Sequence, residues 1–156
     1  MKMLIIFLAE YLYLIIIGIS LYAFVKTDKK NRKNIFLFSM ATFILSFVLS
    51  RIANYFIQSP RPFVVDSSIT PLFSHIPNNG FPSDHTLLVM SLAAIVYMFN
   101  RKLGIILSIG SVLVGVARVM AQVHNPVDIL GSIIIAWISC LLIYYILTKR
   151  KIISKF

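Results

Sequence analysis

Negative charge is scarce in this sequence: five Asp and Glu residues stand among 156, against fifteen Lys and Arg. Charged residues of both signs make up only 13%, about half the quarter that soluble domains carry. That shortage excludes an ordinary solvated surface around the 59% of residues that are hydrophobic. Cysteine is nearly absent. Cys140 stands alone inside an apolar run, so an intrachain disulfide framework is excluded and the redox compartment is left open. Repeats, low-complexity tracts and flexible linkers are missing as well, which leaves one domain, residues 1–156, as the expected organisation.

Long apolar runs are abundant. Five segments approach the ~20 residues that span a bilayer, near 3–25, 34–57, 86–100, 103–121 and 126–148. Backbone polar groups cannot face lipid unpaired, so an all-α polytopic bundle of about five transmembrane helices is expected. The first segment carries Glu10, is long and lacks a small-residue cleavage site, so it reads as a retained helix rather than a signal peptide.

The basic residues set an expected orientation. Lys26, Lys29, Lys30, Arg32 and Lys33 follow the first segment, Arg101 and Lys102 separate the third from the fourth, and Lys149, Arg150, Lys151 and Lys155 form the tail. With five spans these regions share one side, which the positive-inside rule places in the cytoplasm. The N-terminus and the 58–85 loop then face outward and the C-terminus inward. Topology accounts for most of the +10 net charge, and no nucleic-acid partner is expected.

Arg51, Arg61 and Arg118 escape that explanation, because they fall at or near the outer ends of segments two and four. Three polar clusters gather at the same face: SPRPF from Ser59, PSDH from Pro82, and ARVMAQVHNPVD from Ala117 to Asp128. Arginine forks and free helix N-terminal N–H groups suit a phosphate. Each piece also has a structural reading. Ser83 can cap a helix with Asp84 in its first turn, and Asn125 can cap another with Pro126 and Asp128 following. Capping leaves unexplained why His85, His124 and arginines share one membrane face. His124 lies four residues before Asp128, a spacing that lets a carboxylate hold one imidazole nitrogen and leave the other free. His85 on a different helix is then a candidate proton donor. Three arginines beside two histidines and two aspartates disfavour a metal, and no metal or cofactor is expected.

At these residues the chain resembles the type 2 phosphatidic acid phosphatase superfamily, whose signature is Lys-x6-Arg-Pro, Pro-Ser-Gly-His and Ser-Arg-x5-His-x3-Asp. Arg61-Pro62 ends the first motif. Pro82-Ser83-Asp84-His85 forms the second, with Asp for Gly. Arg118, His124 and Asp128 form the third at full spacing, with Ala117 for Ser. FPSDHT and HNPVDILGS are similar to the bacterial undecaprenyl-diphosphatase subgroup associated with bacitracin resistance. The motif lysine falls at Asn54, and five helices are counted where the family usually has six, the missing one N-terminal.

The resemblance implies a site outside the cytoplasmic membrane and a role for each residue. His124 attacks the terminal phosphorus and carries a phosphohistidine, Asp128 orients it, and His85 protonates the leaving lipid phosphate. Arg61, Ser83 and Arg118 hold phosphoryl oxygens, with the backbone N–H groups of Asp84 and His85. The implied substrate is undecaprenyl diphosphate in the membrane. The alternatives are another lipid phosphate (phosphatidylglycerol phosphate, phosphatidate or a lipid A phosphate) and a non-catalytic lipid-phosphate binder. One expectation concerns depth. Glu10 and Arg51 both fall roughly 10 Å below the outer helix ends at ~1.5 Å per residue. Lone charges at that depth are costly, so a Glu10–Arg51 ion pair is predicted under the pocket, with Asn54 on the same helix face. The competing expectation is that Arg51 reaches outward in place of the missing lysine.

Overall fold

The computed structural model describes residues 1–153; Lys155 of the basic tail lies outside the described residues. Among the described residues seven helices follow one another: α1 (Lys2–Glu10), α2 (Leu12–Lys26), α3 (Lys29–Phe56), the single turn α4 (Pro62–Val65), α5 (Asp84–Phe99), α6 (Arg101–Met120) and α7 (Pro126–Lys149). The expected all-α bundle is what forms. α1 and α2 together make the first span, interrupted at Tyr11, and that interruption lay outside the sequence expectation.

Among the described residues, four spans are long and apolar enough to cross a membrane: Lys2–Lys26, Lys29–Phe56, Arg101–Met120 and Pro126–Lys149. The chain is a multi-pass membrane protein. The remaining helix, α5, has 16 residues and measures about 24 Å, short of a ~30 Å hydrocarbon layer. Its packing explains how so short a helix is used. α5 is the axis of the bundle and contacts α2, α3, α6 and α7. Thr86, Leu87, Val89, Met90, Ala93, Ala94, Ile95 and Val96 are all buried. A helix surrounded by protein has no lipid thickness to match.

Leu87, Val89, Met90, Ala93 and Val96 pack with Ile16, Leu107, Val114 and Ala136 in the main apolar core. Large apolar side chains such as Ile44, Phe47, Ile106, Leu130 and Ile134 stay exposed on the outer helices, where lipid replaces a protein partner. Several hydroxyls inside the bundle find an acceptor within their own helix. Ser20, Ser111 and Ser139 donate to Ile16, Leu107 and Ile135 carbonyls one turn earlier, the back-bonding typical of Ser in apolar helices.

Chain direction separates two ends. The C-terminus of α3, the start of α5, the end of α6 and the start of α7 meet at one end, with α1 against α6. The lysine- and arginine-rich connections lie at the other. The 57–83 connection closes the first end. Asn79 organises it: its Oδ1 accepts from Ser59 N–H and its Nδ2 donates to the Asn54 and Ile57 carbonyls. Gly80 N–H donates to Ser59 O at 2.8 Å.

Candidate active site

A cavity of about 210 Å³ opens at this end, lined among others by Arg51, Asn54, Arg61, Asp84, His85, Arg118 and His124. Its size suits a phosphoryl headgroup rather than a whole lipid. Most of the residues singled out in the sequence therefore converge on one space from four separate stretches of chain.

The turn between α6 and α7 carries His124, which is 3% exposed. Its Nδ1 lies 3.1 Å from Asp128 Oδ2. A carboxylate cannot donate, so Nδ1 carries the hydrogen and Nε2 keeps its lone pair. The same Oδ2 accepts the backbone N–H of Asn125 at 2.8 Å, within a capping box at the start of α7. One oxygen of Asp128 thus serves both the helix cap and the contact to His124. Gly80 presses on that carboxylate: a Cβ on Gly80 would stand 2.7 Å from Asp128 Oδ2 and 3.1 Å from Ser59 O. The close approach requires glycine. Burial lowers the His124 pKa, the Asp128 hydrogen bond opposes this, and Arg61 and Arg118 lower it further. The net lowering favours the neutral ring, in which Nε2 carries a lone pair.

Arg61 lies just before α4 and is 4% exposed. Its Nε and Nη2 donate to Asn78 Oδ1 at 3.1 and 3.0 Å, and its Nη1 donates to the Val123 carbonyl. Nη1 also stands 3.4 Å from His124 Nε2, so a fixed positive charge sits beside the free imidazole nitrogen. Arg118, on α6, is 1% exposed. Its Nη1 donates to Ala9 O at 3.1 Å and lies 3.8 Å from Glu10 Oε1. Its Nη2 lies 3.1 Å from His75 Nε2.

His85 occupies the first turn of α5, edge-on to Tyr13 with ring centroids 4.9 Å apart. α5 begins at Asp84, so its first N–H groups, with no intrahelical acceptor, belong to the residues that line the cavity. Arg51 Nη2 donates to Asp84 Oδ1 at 2.6 Å on the cavity rim, where both side chains are substantially exposed. Asn54, one turn along the same face of α3, lines the cavity and donates to Phe81 O at 2.5 Å. Ser83 differs. It is fully buried behind the cavity lining, its Oγ accepts from Thr86 Oγ1 at 3.2 Å, and its carbonyl accepts from Ser132 Oγ at 2.9 Å. In this structure it joins α5 to α7.

The predicted Glu10–Arg51 pair does not form. Glu10 faces Arg118 and Arg51 faces Asp84. Direction decides the partners: α1 packs on α6, and the Arg51 face of α3 turns toward α5. The competing expectation, that Arg51 reaches the pocket, fits its place on the rim.

Residues missed in the sequence include His75, Asn78, Asn79 and Gly80, all in the 57–83 connection. One signal for His75 was available. The chain has three histidines, and all three line this cavity.

Relatives share both pattern and fold. The bacitracin transport permease protein BcrC of Bacillus licheniformis is 28% identical over 150 residues, covering 96% of this chain and 73% of that protein. The undecaprenyl-diphosphatase BcrC of Bacillus subtilis (strain 168) is 32% identical over 131 residues, covering 84% of this chain and 67% of that one. The crystal structure of Aquifex aeolicus LpxE superposes with a TM-score of 0.74 at 22% identity, over 92% of this chain and 86% of that chain, a likeness of fold. The PAP2 superfamily pattern matches residues 32–152, which include every residue of the cavity described above, and the chain belongs to that superfamily.

Proposed function

We propose that this chain, acting as one integral-membrane domain, hydrolyses undecaprenyl diphosphate to undecaprenyl phosphate and inorganic phosphate. The observation that carries this reading is His124. Its Nδ1 is fixed on a buried carboxylate and its Nε2 lone pair faces Arg61 Nη1 at 3.4 Å, in a cavity with a second arginine and a second histidine. Nε2 attacks the terminal phosphorus and the bond from phosphorus to the bridging oxygen breaks. Burial first, then Arg118 and His124, hold the His85 pKa down to about 4. The negative charge of a bound diphosphate raises it, so that His85 gives the bridging oxygen a proton. Water then attacks the phosphohistidine, the P–N bond breaks, His85 takes up the water proton, and phosphate leaves. Arg61 and Arg118, already fixed by other contacts, neutralise the equatorial oxygens without reorganising. No step calls on a metal or cofactor.

A lipid substrate is supported by the surroundings of the rim. Arg51 and Asp84 also border an apolar groove between α3 and α5, lined by Phe43, Phe47, Leu87 and Leu88. The diphosphatase name of the Bacillus subtilis relative favours a prenyl diphosphate over phosphatidate. The charge asymmetry along the chain supports a cytoplasmic-membrane orientation with the cavity outside, N-terminus out and C-terminus in. One relative carries a permease name; the oriented nucleophile of this chain favours hydrolysis over carriage. Purified protein in detergent should release phosphate from undecaprenyl diphosphate, and His124→Ala should abolish release with its melting temperature preserved. Normal turnover by that variant would overturn the mechanism.

A further inference from the structure

Arg118 is held by a stretch of chain outside all three motifs. Leu72 N–H donates to Ala121 O at 3.1 Å and pins the 72–75 segment to the end of α6. From there Phe73 sets its ring 5.8 Å from the guanidinium carbon, and His75 Nε2 sits 3.1 Å from Arg118 Nη2. Arg118 Nε is buried with no partner among the described residues. The His75 ring also stands edge-on to His124, centroids 5.9 Å apart. His75 therefore touches a phosphate-site arginine and the ring of the nucleophile at once.

We propose that His75 is a positioning residue for phosphoryl transfer: its neutral imidazole accepts from Arg118 Nη2 and fixes the orientation of a guanidinium that lines the cavity. The inference rests on the function proposed above. Arginine only donates, so the contact requires a lone pair on His75 Nε2 and hydrogen on Nδ1. Protonation would remove that acceptor and set a third positive charge beside Arg118 and Arg61. The groups facing His75 are Arg118 from α6, Arg61 from the α3–α4 connection, His124 from the α6–α7 turn and His85 from α5. Burial first, then Arg61, Arg118 and His124, hold the His75 pKa down, from 6.5 to about 4. The ring is accordingly neutral at physiological pH.

The test compares wild type, His75→Ala and His75→Gln, the last of which keeps an acceptor and cannot titrate. In His75→Ala, kcat/KM on undecaprenyl diphosphate should fall about 10- to 100-fold, the loss of one hydrogen bond to a charged group. Glutamine should recover most of it at pH 7. A second readout needs no turnover: inorganic phosphate or vanadate should raise the melting temperature of wild type and His75→Gln but not of His75→Ala. Between pH 6.5 and 4 the folded chain binds fewer protons at His75 than the unfolded chain, so stability falls as pH drops through that window; His75→Gln should flatten the slope. If wild type releases no phosphate, the proposed function fails, while the melting shifts still report on His75. If His75→Ala keeps kcat/KM within twofold, if glutamine rescues neither readout, or if phosphate shifts no variant, His75 has no positioning role.

Discussion

The two ends of the bundle treat positive charge in opposite ways. At the basic end Lys26, Arg101 and Lys149 are exposed, and each follows a tyrosine by four residues, within one helix for Lys26 and Lys149 and across the α5–α6 junction for Arg101. Lys26 lies over Tyr22, Arg101 Nε donates to Tyr97 OH, and Lys149 Nζ donates to Tyr145 OH. At the cavity end Arg61 and Arg118 are buried, with partners far away in sequence: Val123 for Arg61, Ala9 and His75 for Arg118. Cations beside a membrane interface can keep their heads in water and need only local support. Cations buried in the bundle need acceptors delivered from several elements. The number of charges marks the topology, whereas their burial marks the chemistry.

If that contrast is sound, breaking the buried network should cost most at Asp128. Asp128→Asn should cut kcat by about three to four orders of magnitude, because an amide facing His124 Nδ1 favours the wrong tautomer. The same oxygen also accepts from Asn125 N–H, so an amide nitrogen turned toward the ring gives up that cap bond as well, and the fold should persist with a stability loss of about 1 kcal/mol. Phosphate release and melting temperature, measured together, check this; a loss under tenfold would remove Asp128 from the orienting role.

A smaller loss is expected from Gly80→Ala. The added Cβ falls 2.7 Å from Asp128 Oδ2, so either the loop or the carboxylate must move. Displacing a catalytic group by about 1 Å costs around a hundredfold in rate. The loss should appear in kcat rather than KM, because the arginines are not touched. A rise in KM alone would mean that the loop yields and the carboxylate stays.

Legibility from sequence follows the same division between local and distant contacts. The His124–Asp128 pair, the α7 cap and the apolar helices rest on spacing within one segment, and they could be read directly. The helix-face relation of Arg51 to Asn54 is equally local. Partners across the bundle were not readable. Glu10 was assigned to Arg51 on depth alone, but depth fixes only one coordinate of a side chain, and rotation about the helix axis decides which neighbour it meets. Ser83 shows the same limit from the other side: its motif position was clear, but its buried bond to Thr86 was not. The 57–83 connection, held by Asn79, has no periodicity to read, so His75 stayed hidden until the chain was folded.

The smallest effects should come from the one charge pair at the cavity end that resembles the basic end. Arg51 and Asp84 are close, at 2.6 Å, yet their side chains are 45% and 72% exposed. An exposed pair contributes about 0–1 kcal/mol and weakens with salt, so neither Arg51→Gln nor Asp84→Asn should unfold the protein. Their kinetic effects should have opposite signs. Arg51 brings positive charge to the rim of a cavity for an anionic headgroup, and Asp84 occupies part of it. Arg51→Gln should raise KM about threefold and Asp84→Asn should lower it by a similar factor, both within the range of a surface pair. Raised salt should shrink both differences. Arg101→Gln, which breaks the Tyr97 contact at the basic end, should leave KM unchanged. Michaelis constants for the three variants at low and high salt decide the matter: equal shifts for Arg51→Gln and Arg101→Gln would mean that the rim pair, for all its proximity to the site, belongs with the interfacial cations.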